Sequence, residues 1–195
     1  MTKIIFFDLD GTLRETASGK TFINEPTDQK AIQGTQKALA YYQEKGFICI
    51  GITNQGGVAA GHKSLQDAIE EQRITLELFP ELLVIYMCAD KGDTIQVVGR
   101  ENITNHNFKR SDFYESFRKP GKGMIQYAFA DLYNSEISSD SWMIGDRPED
   151  EACAAAAGVK FIWASVMHAK FAGPGMREID CQHIDPDVLM QFLAL

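Results

Sequence analysis

The sequence predicts a doubly wound α/β fold, a parallel sheet covered by helices on both faces, and three observations predict it. Short continuous apolar runs at 3–9, 47–53, 82–88, 142–146 and 160–165 read as strands buried on both sides. Helix-like stretches alternate with them, which is the pattern of crossover-connected parallel strands. No repeat, low-complexity tract or linker interrupts that order, so residues 1–195 read as a single domain.

KIIFFDL at 3–9 is a buried strand stopped by Asp10-Gly11. Residues 12–34 are polar and punctuated by Gly19, Pro26 and Gly34, which predicts loop with a short hairpin or helical turn. Thr35 can cap a helix running to about residue 45, where Gly46 ends it. FICIGIT at 47–53 is the second strand, and Asn54-Gln55-Gly56-Gly57 reads as a turn. Ser64 can cap a helix that continues to about residue 79, with Pro80 as its stop.

LLVIYMC at 82–88 is the third strand, and the polar segment 89–118 holds a weaker strand candidate at 95–98. A helix is expected after Pro120, ending near residue 134. WMIGD at 142–146 is the fourth strand; Pro148 suits the first turn of the helix behind it. KFIWAS at 160–165 is the fifth, and Asp185-Pro186 opens a short C-terminal helix. Trp142 and Trp163 fall in strands and are expected in the core.

With 45% apolar and 24% charged residues the chain has the balance of an ordinary soluble domain. No apolar run approaches the ~20 residues that span a bilayer. Acidic residues interrupt the first apolar stretch almost at once, unlike a signal peptide. A cytoplasmic protein is expected, with no membrane partner. The cysteines (Cys49, Cys88, Cys153, Cys181) and histidines (His62, His106, His168, His183) are scattered without metal-ligand spacing, so no structural zinc is expected and the thiols read as buried and reduced. A net charge of −8 argues against broad affinity for nucleic acid or anionic lipid. Between 100 and 122, however, Arg100, Lys109, Arg110, Arg118, Lys119 and Lys122 outnumber the acids. They form either a solvated loop or an anion-attracting rim. Phe108, Phe113, Tyr114 and Phe117 interleave with them, and packing onto the domain is favoured over stacking of bases.

In an open α/β sheet, ligands bind beyond the carboxyl ends of the strands. Those ends carry Asp8 and Asp10, then Thr53 and Asn54, then Asp146 and Asp150, with Arg118 and Lys119 just before the helix preceding the fourth strand. Two carboxylates leaving one strand are costly unless a cation neutralises them, and hard oxygen ligands suit Mg²⁺. Asp8, Asp10 and Asp146 are the expected metal ligands, Asp10 through its main-chain carbonyl. One oxygen of Asp8 can then bind metal while the other attacks phosphorus. Asp10 can protonate the leaving oxygen and later deprotonate water. Thr53, with Asn54 and the glycines behind it, can hold phosphate oxygens. Lys119 offers a point charge and Arg118 a planar fork to phosphate or substrate. Asp150 is expected to support the metal site.

The motifs resemble, in order, those of the haloacid-dehalogenase superfamily of phosphatases. DLDGT at 8–12 resembles its nucleophile motif, ITNQGG at 52–57 its second, RKPGKGM at 118–124 its third and GDRPED at 145–150 its fourth. The combination of TNQ with RKPxxGM is most similar to the branch of histidinol-phosphate, heptose-bisphosphate and polynucleotide 3′-phosphatases. The first two typically carry a zinc loop before the third motif, whereas Cys88 and His106 are the only cysteine or histidine between 83 and 117 here. The resemblance implies a Mg²⁺-dependent phosphomonoester hydrolase working through an aspartyl-phosphate on Asp8. Segments 12–34 and 56–118 leave no room for a large cap, so an open site is expected. A small phosphorylated metabolite is the favoured substrate and a nucleic-acid 3′ end the alternative. A non-catalytic receiver-like module is the rival from another class; a nucleotide-binding loop at Gly19-Lys20-Thr21 is disfavoured because Arg14 stands where such a loop needs glycine.

Overall fold

The computed structural model describes residues 3–100, 106–133, 140–172 and 184–195. Along the chain run β1 (Ile4–Phe7), β2 (Arg14–Glu15), β3 (Lys30–Ala31), α1 (Thr35–Glu44), β4 (Ile48–Asn54), α2 (Gly56–Ala59), α3 (Leu65–Leu78) and β5 (Leu82–Cys88). Then follow β6 (Thr94–Gly99), β7 (His106–Lys109), α4 (Gly123–Tyr133), β8 (Trp142–Gly145), α5 (Pro148–Ala157), β9 (Lys160–Trp163), α6 (Ala164–Phe171) and α7 (Pro186–Leu193).

The main sheet has the order β7-β6-β5-β4-β1-β8-β9. From β5 to β9 every pair is parallel, and β1 lies between β4 and β8, where the strand order reverses. Alternation along β1 builds two cores. Ile5 and Phe7 pack with Leu39, Tyr42, Trp142 and Phe192 on one face. Ile4 and Phe6 pack with Ile50, Tyr86, Ile125 and Ala154 on the other. Each such fully buried side chain contributes roughly 1.5–3 kcal/mol. A strand buried on both faces therefore holds the residues at its carboxyl end firmly.

The doubly wound α/β fold is the one expected, with an antiparallel edge of β6 and β7 added to the parallel sheet; β7, with three exposed polar residues of its four, gives no apolar signal, and an antiparallel edge tolerates them. Three finer expectations are corrected. Residues 54–57 are no simple turn: β4 includes Asn54, and Gly56 opens the single turn of α2. The last strand stops at Trp163, and residues 164–165 begin α6, whose ASVMHAKF sequence has no capping residue to announce it. Thr35 is the first helical residue of α1 rather than its cap; Gly34 takes the cap position in a left-handed conformation (φ 92°), and the Thr35 hydroxyl donates to main-chain carbonyls of Leu13 or Ile32.

Ser64 caps α3 as expected, accepting from the Asp67 amide, and Pro148 occupies the first turn of α5. β2 and β3 form the short hairpin within 12–34. Trp142 and Trp163 are buried. Cys49, Cys88 and Cys153 are buried free thiols, whereas Cys181 and His183 lie outside the described residues. Among the described residues, no helix is long and apolar enough to cross a membrane.

Candidate active site

Asp8 follows the last residue of β1, and its amide donates to the Ile144 carbonyl at 2.9 Å, tying it to β8. The chain then turns sharply, with the amides of Thr12, Leu13 and Arg14 all directed at the Leu9 carbonyl. Gly11 makes this possible. Its φ of 86° is the left-handed region, and a β-carbon there would collide with the Asp146 carboxylate. The Asp8 carboxylate is buried but lines a cleft of about 870 Å³ at the carboxyl ends of the strands. Lys119 Nζ donates to its Oδ1 at 2.5 Å, and the Thr12 hydroxyl to its Oδ2 at 3.4 Å.

Lys119 also faces Asp150 Oδ1 at 2.7 Å and donates to the Ile52 carbonyl at 3.3 Å. Asp150, in the first turn of α5, accepts through Oδ2 from the Arg147 amide at 3.1 Å, while its buried Oδ1 makes no hydrogen bond of acceptable geometry despite the nearby ammonium. Oxygens of Asp8, Asp146 and Asp150 lie within 4.8 Å of one another. Burial pushes the Asp8 carboxyl up to about 7, with Asp150 and Asp146 adding to the rise against the pull of Lys119. Burial and Asp150 likewise raise Asp146. Burial opposes the charge on Lys119, but Asp8 and Asp150 overcome it and hold the ammonium above its ordinary range. Three crowded carboxylates against a single buried ammonium suit a small divalent cation.

The Asp10 carboxyl points elsewhere. Its Oδ1 accepts from Arg14 Nε at 2.9 Å and its Oδ2 from Gln55 Nε2 at 3.2 Å. Burial works against its ionisation, yet Arg14, with Lys63 and Lys119 farther off, holds it below the usual carboxylate range. Its carboxylate stands apart from the three-carboxylate group, which leaves a main-chain role toward a cation compatible with the arrangement.

Thr53 is buried at the cleft, and its hydroxyl oxygen accepts from Gln55 Nε2 at 3.4 Å. Asn54 follows it at the end of β4 and lines the same cleft. Its Oδ1 accepts from the Lys119 amide and its Nδ2 donates to the Lys119 carbonyl, both at 3.0 Å, so it clamps the main chain that delivers the ammonium. Arg118 lines the cleft beside Gly56.

The basic stretch at 100–122 does not form one rim. Arg100 donates to the carbonyls of Leu76 and Phe79 at the end of α3, Arg110 pairs with Asp93 and Lys122 with Glu115. Of its members, Arg118 and Lys119 line the cleft. Phe108, Tyr114 and Phe117 pack with Tyr127, as expected of a loop held to the domain, while Phe113 stays 77% exposed.

Two participants escaped sequence reading. Arg14 is fully buried and contacts Asp10, Glu71, Thr75 and Gln29. His168 shares a 2.7 Å hydrogen bond with the Thr12 carbonyl from across the site turn. Arginine is rarely buried unless paired, and nothing near Arg14 in sequence announces its partner on α3. Cys88 and Cys153 lie close by, but burial pushes both thiols up to about 12, which keeps them out of the chemistry at neutral pH.

Comparison with known proteins points the same way. A family described as polynucleotide kinase 3 phosphatase matches residues 3–175. A D-glycero-beta-D-manno-heptose-1,7-bisphosphate 7-phosphatase from Haemophilus ducreyi is 31% identical over 160 residues, 81% of this chain and 80% of that protein. A D-glycero-D-manno-heptose-1,7-bisphosphate 7-phosphatase from Chlorobaculum tepidum is 26% identical over 95% of this chain and 90% of its own length. The fold is shared with a D,D-heptose 1,7-bisphosphate phosphatase of B. bronchiseptica solved with magnesium and phosphate, at a TM-score of 0.60 and 21% identity, with 99% of each chain covered.

Proposed function

Because this chain belongs to the polynucleotide kinase 3 phosphatase family, and is a phosphatase of the haloacid-dehalogenase superfamily, we propose that it hydrolyses a sugar phosphate through an aspartyl-phosphate on Asp8. The observation that carries this reading is the placement of Asp8: a buried carboxylate at the end of a central strand, held by Lys119, open to the cleft, and crowded by Asp146 and Asp150.

Asp8, Asp146 and the main chain of Asp10 would hold one Mg²⁺, with Asp150 supporting them. When bound, the ion neutralises the carboxylates and the developing charge on the transferring phosphoryl group. Lys119 and Thr53 stabilise the phosphoryl oxygens, and Arg118 faces the rest of the substrate from the cleft wall. In the first half-reaction the Asp8–phosphorus bond forms, the ester bond breaks, and the leaving oxygen takes a proton from Asp10. In the second, water attacks phosphorus, Asp10 accepts its proton, and Asp8 leaves with its electron pair. Having given its proton, Asp10 is the carboxylate that the second half-reaction needs, a form that Arg14 favours. A phosphate dianion arriving alongside raises its affinity for the proton that the first requires.

The heptose-bisphosphate names of the relatives support a sugar substrate, and Lys20, Arg118 and Arg147 on the cleft wall suit its phosphate groups. A panel of heptose 1,7-bisphosphate, simpler sugar phosphates, histidinol phosphate and a 3′-phosphorylated oligonucleotide, assayed with Mg²⁺, tests it. The sugar bisphosphate should give the highest kcat/KM, and Asp8→Asn should abolish turnover of every substrate. Preference for the oligonucleotide would overturn the substrate class; turnover retained in Asp8→Asn would overturn the mechanism.

A further inference from the structure

Both oxygens of the Asp10 carboxylate are engaged, and the groups engaging them are joined behind it. Arg14 Nε holds Oδ1 at 2.9 Å, and Arg14 Nη2 reaches Glu71 Oε1 at 2.5 Å. Glu71 Oε2 takes Lys63 Nζ, which lies 3.5 Å from Gln55 Oε1, and Gln55 Nε2 donates to Asp10 Oδ2 at 3.2 Å. The bonds close a ring through Asp10, Arg14, Glu71, Lys63 and Gln55, with two carboxylates balancing two cations. Arg14 Nη1 is fixed further by Thr75 Oγ1 and Gln29 Oε1. The Arg14 and Glu71 side chains are 0% and 1% exposed and Lys63 is 9%, whereas the Asp10 carboxylate is 41% exposed. The ring thus lies along the cleft wall with the Asp10 side chain as its most exposed charged member and Arg14, Glu71 and Lys63 packed behind it.

Stability alone does not account for this arrangement. Buried ion pairs are weak stabilisers, because desolvation offsets their attraction, and apolar pairs of similar volume often replace them without loss. Orientation does account for it. A carboxylate on a short side chain rotates freely unless both oxygens are held, and a planar guanidinium locked at its far end fixes one of them in direction as well as distance. Proton transfer in the phosphoryl-transfer step needs that fixed direction.

We propose that Arg14, anchored by Glu71, is a positioning residue that aims the Asp10 carboxyl at the leaving-group oxygen. The proposal rests on the acid–base reading of Asp10 given above. A leaving group that departs without a proton, such as 2,4-dinitrophenolate, does not need the aimed carboxyl; an alkoxide does.

The test compares kcat/KM, which reports the first phosphoryl transfer, for dinitrophenyl phosphate and an alkyl phosphate. It uses the parent, Asp10→Asn, Arg14→Lys and the double variant Arg14→Met/Glu71→Met, each checked by circular dichroism and thermal unfolding. The double variant removes the Arg14–Glu71 pair together but leaves Lys63 without Glu71, so it is read only if its unfolding curve shows a folded protein; Arg14→Lys keeps every charge of the ring, loses the fork, and tests the proposal in either case. Asp10→Asn should lose roughly 10²-fold or more on the alkyl ester, the usual worth of a positioned proton donor, and little on the dinitrophenyl ester. The double variant should lose about tenfold or more on the alkyl ester alone, and Arg14→Lys a smaller share with the same selectivity. Equal losses on both esters, or none, in either Arg14 variant would overturn the positioning role while leaving Asp10 as the acid. An Asp10→Asn variant without leaving-group dependence would overturn the acid–base reading and Arg14's role with it.

Discussion

Asp8 and Asp10 leave the same strand two residues apart, yet their surroundings treat their charges in opposite ways. Around Asp8, burial and the carboxylates of Asp150 and Asp146 outweigh Lys119, and the carboxyl is pushed up to about 7. Around Asp10, the Arg14 guanidinium outweighs burial, and the carboxyl is held low. One site is short of positive charge; the other is balanced. The difference teaches where each site obtains its neutralisation. Asp10 has it from the chain's own Arg14 on β2, with Lys63 just before α3, whereas the Asp8 cluster is built to receive it from a cation and a phosphoryl group.

The sharpest way to break this contrast is to remove one carboxylate from each side and measure stability without Mg²⁺. Glu71→Ala leaves Arg14 and Lys63 without their shared partner in a buried place, and a loss of about 3–5 kcal/mol is expected in chemical denaturation. Asp8→Asn replaces a carboxylate that the folded protein prefers to protonate by a neutral group of the same shape. At pH 8 it should be at least as stable as the parent. A comparable loss in Asp8→Asn would mean that Lys119 dominates the cluster and that the two sites are balanced alike.

A second measurement sharpens the comparison through pH. Asp8 is raised above its ordinary value of 3.8 to about 7, so the folded state binds more protons than the unfolded chain between those limits. Without metal, the contribution of Asp8 to stability is therefore present below about pH 4 and is lost as pH rises through about 7. Asp10 has the opposite sign, and its contribution is lost only as pH falls below the ordinary carboxylate range. Metal must displace the Asp8 proton. Apparent Mg²⁺ affinity, followed by titration calorimetry, should be nearly flat above pH 7 and fall toward tenfold per unit below it, about 1.4 kcal/mol per unit. A flat affinity from pH 8 to 5.5 would mean that binding displaces no Asp8 proton, and so that the two aspartates do not differ in charge as described.

Much of this was legible in the chain because buried parallel strands announce themselves. The stretches 4–7, 47–52 and 142–145 are apolar up to the polar residue that follows each, so their ends could be located and Asp8, Thr53 and Asp146 placed on one edge. Lys119 was legible through its motif, and the structure buries it between Asp8 and Asp150. Arg14 was not, because its partners Glu71 and Thr75 lie 57 and 61 residues away, on a helix where a glutamate looks like any solvated charge. Strand β7 was missed for a related reason. Its HNFK sequence carries no alternation, and its main-chain pairing with β6 supplies what its side chains do not.

Asn54 offers the smallest effect and tests how far the Asp8 side depends on a placed ammonium. At a strand end beside Thr53 it reads as a phosphate ligand, but both ends of its amide hold the Lys119 main chain. Asn54→Ala removes two neutral hydrogen bonds, and a loss of about 1–2 kcal/mol is expected in thermal or chemical denaturation. Lys119 would keep its charge and lose its anchor, so kcat should fall with the looser ammonium, while KM for a small aryl phosphate should change little. The Asn54 side chain bonds to Lys119 and not to Asp10 or its ring, of which only Gln55 is its chain neighbour, so the ratio of kcat/KM between alkyl and dinitrophenyl esters should stay at the parent value. A rise in KM with kcat unchanged would instead mark Asn54 as a direct phosphate ligand. A change in the ester ratio would mean that the two aspartates, opposite in their electrostatics, share one mechanical support.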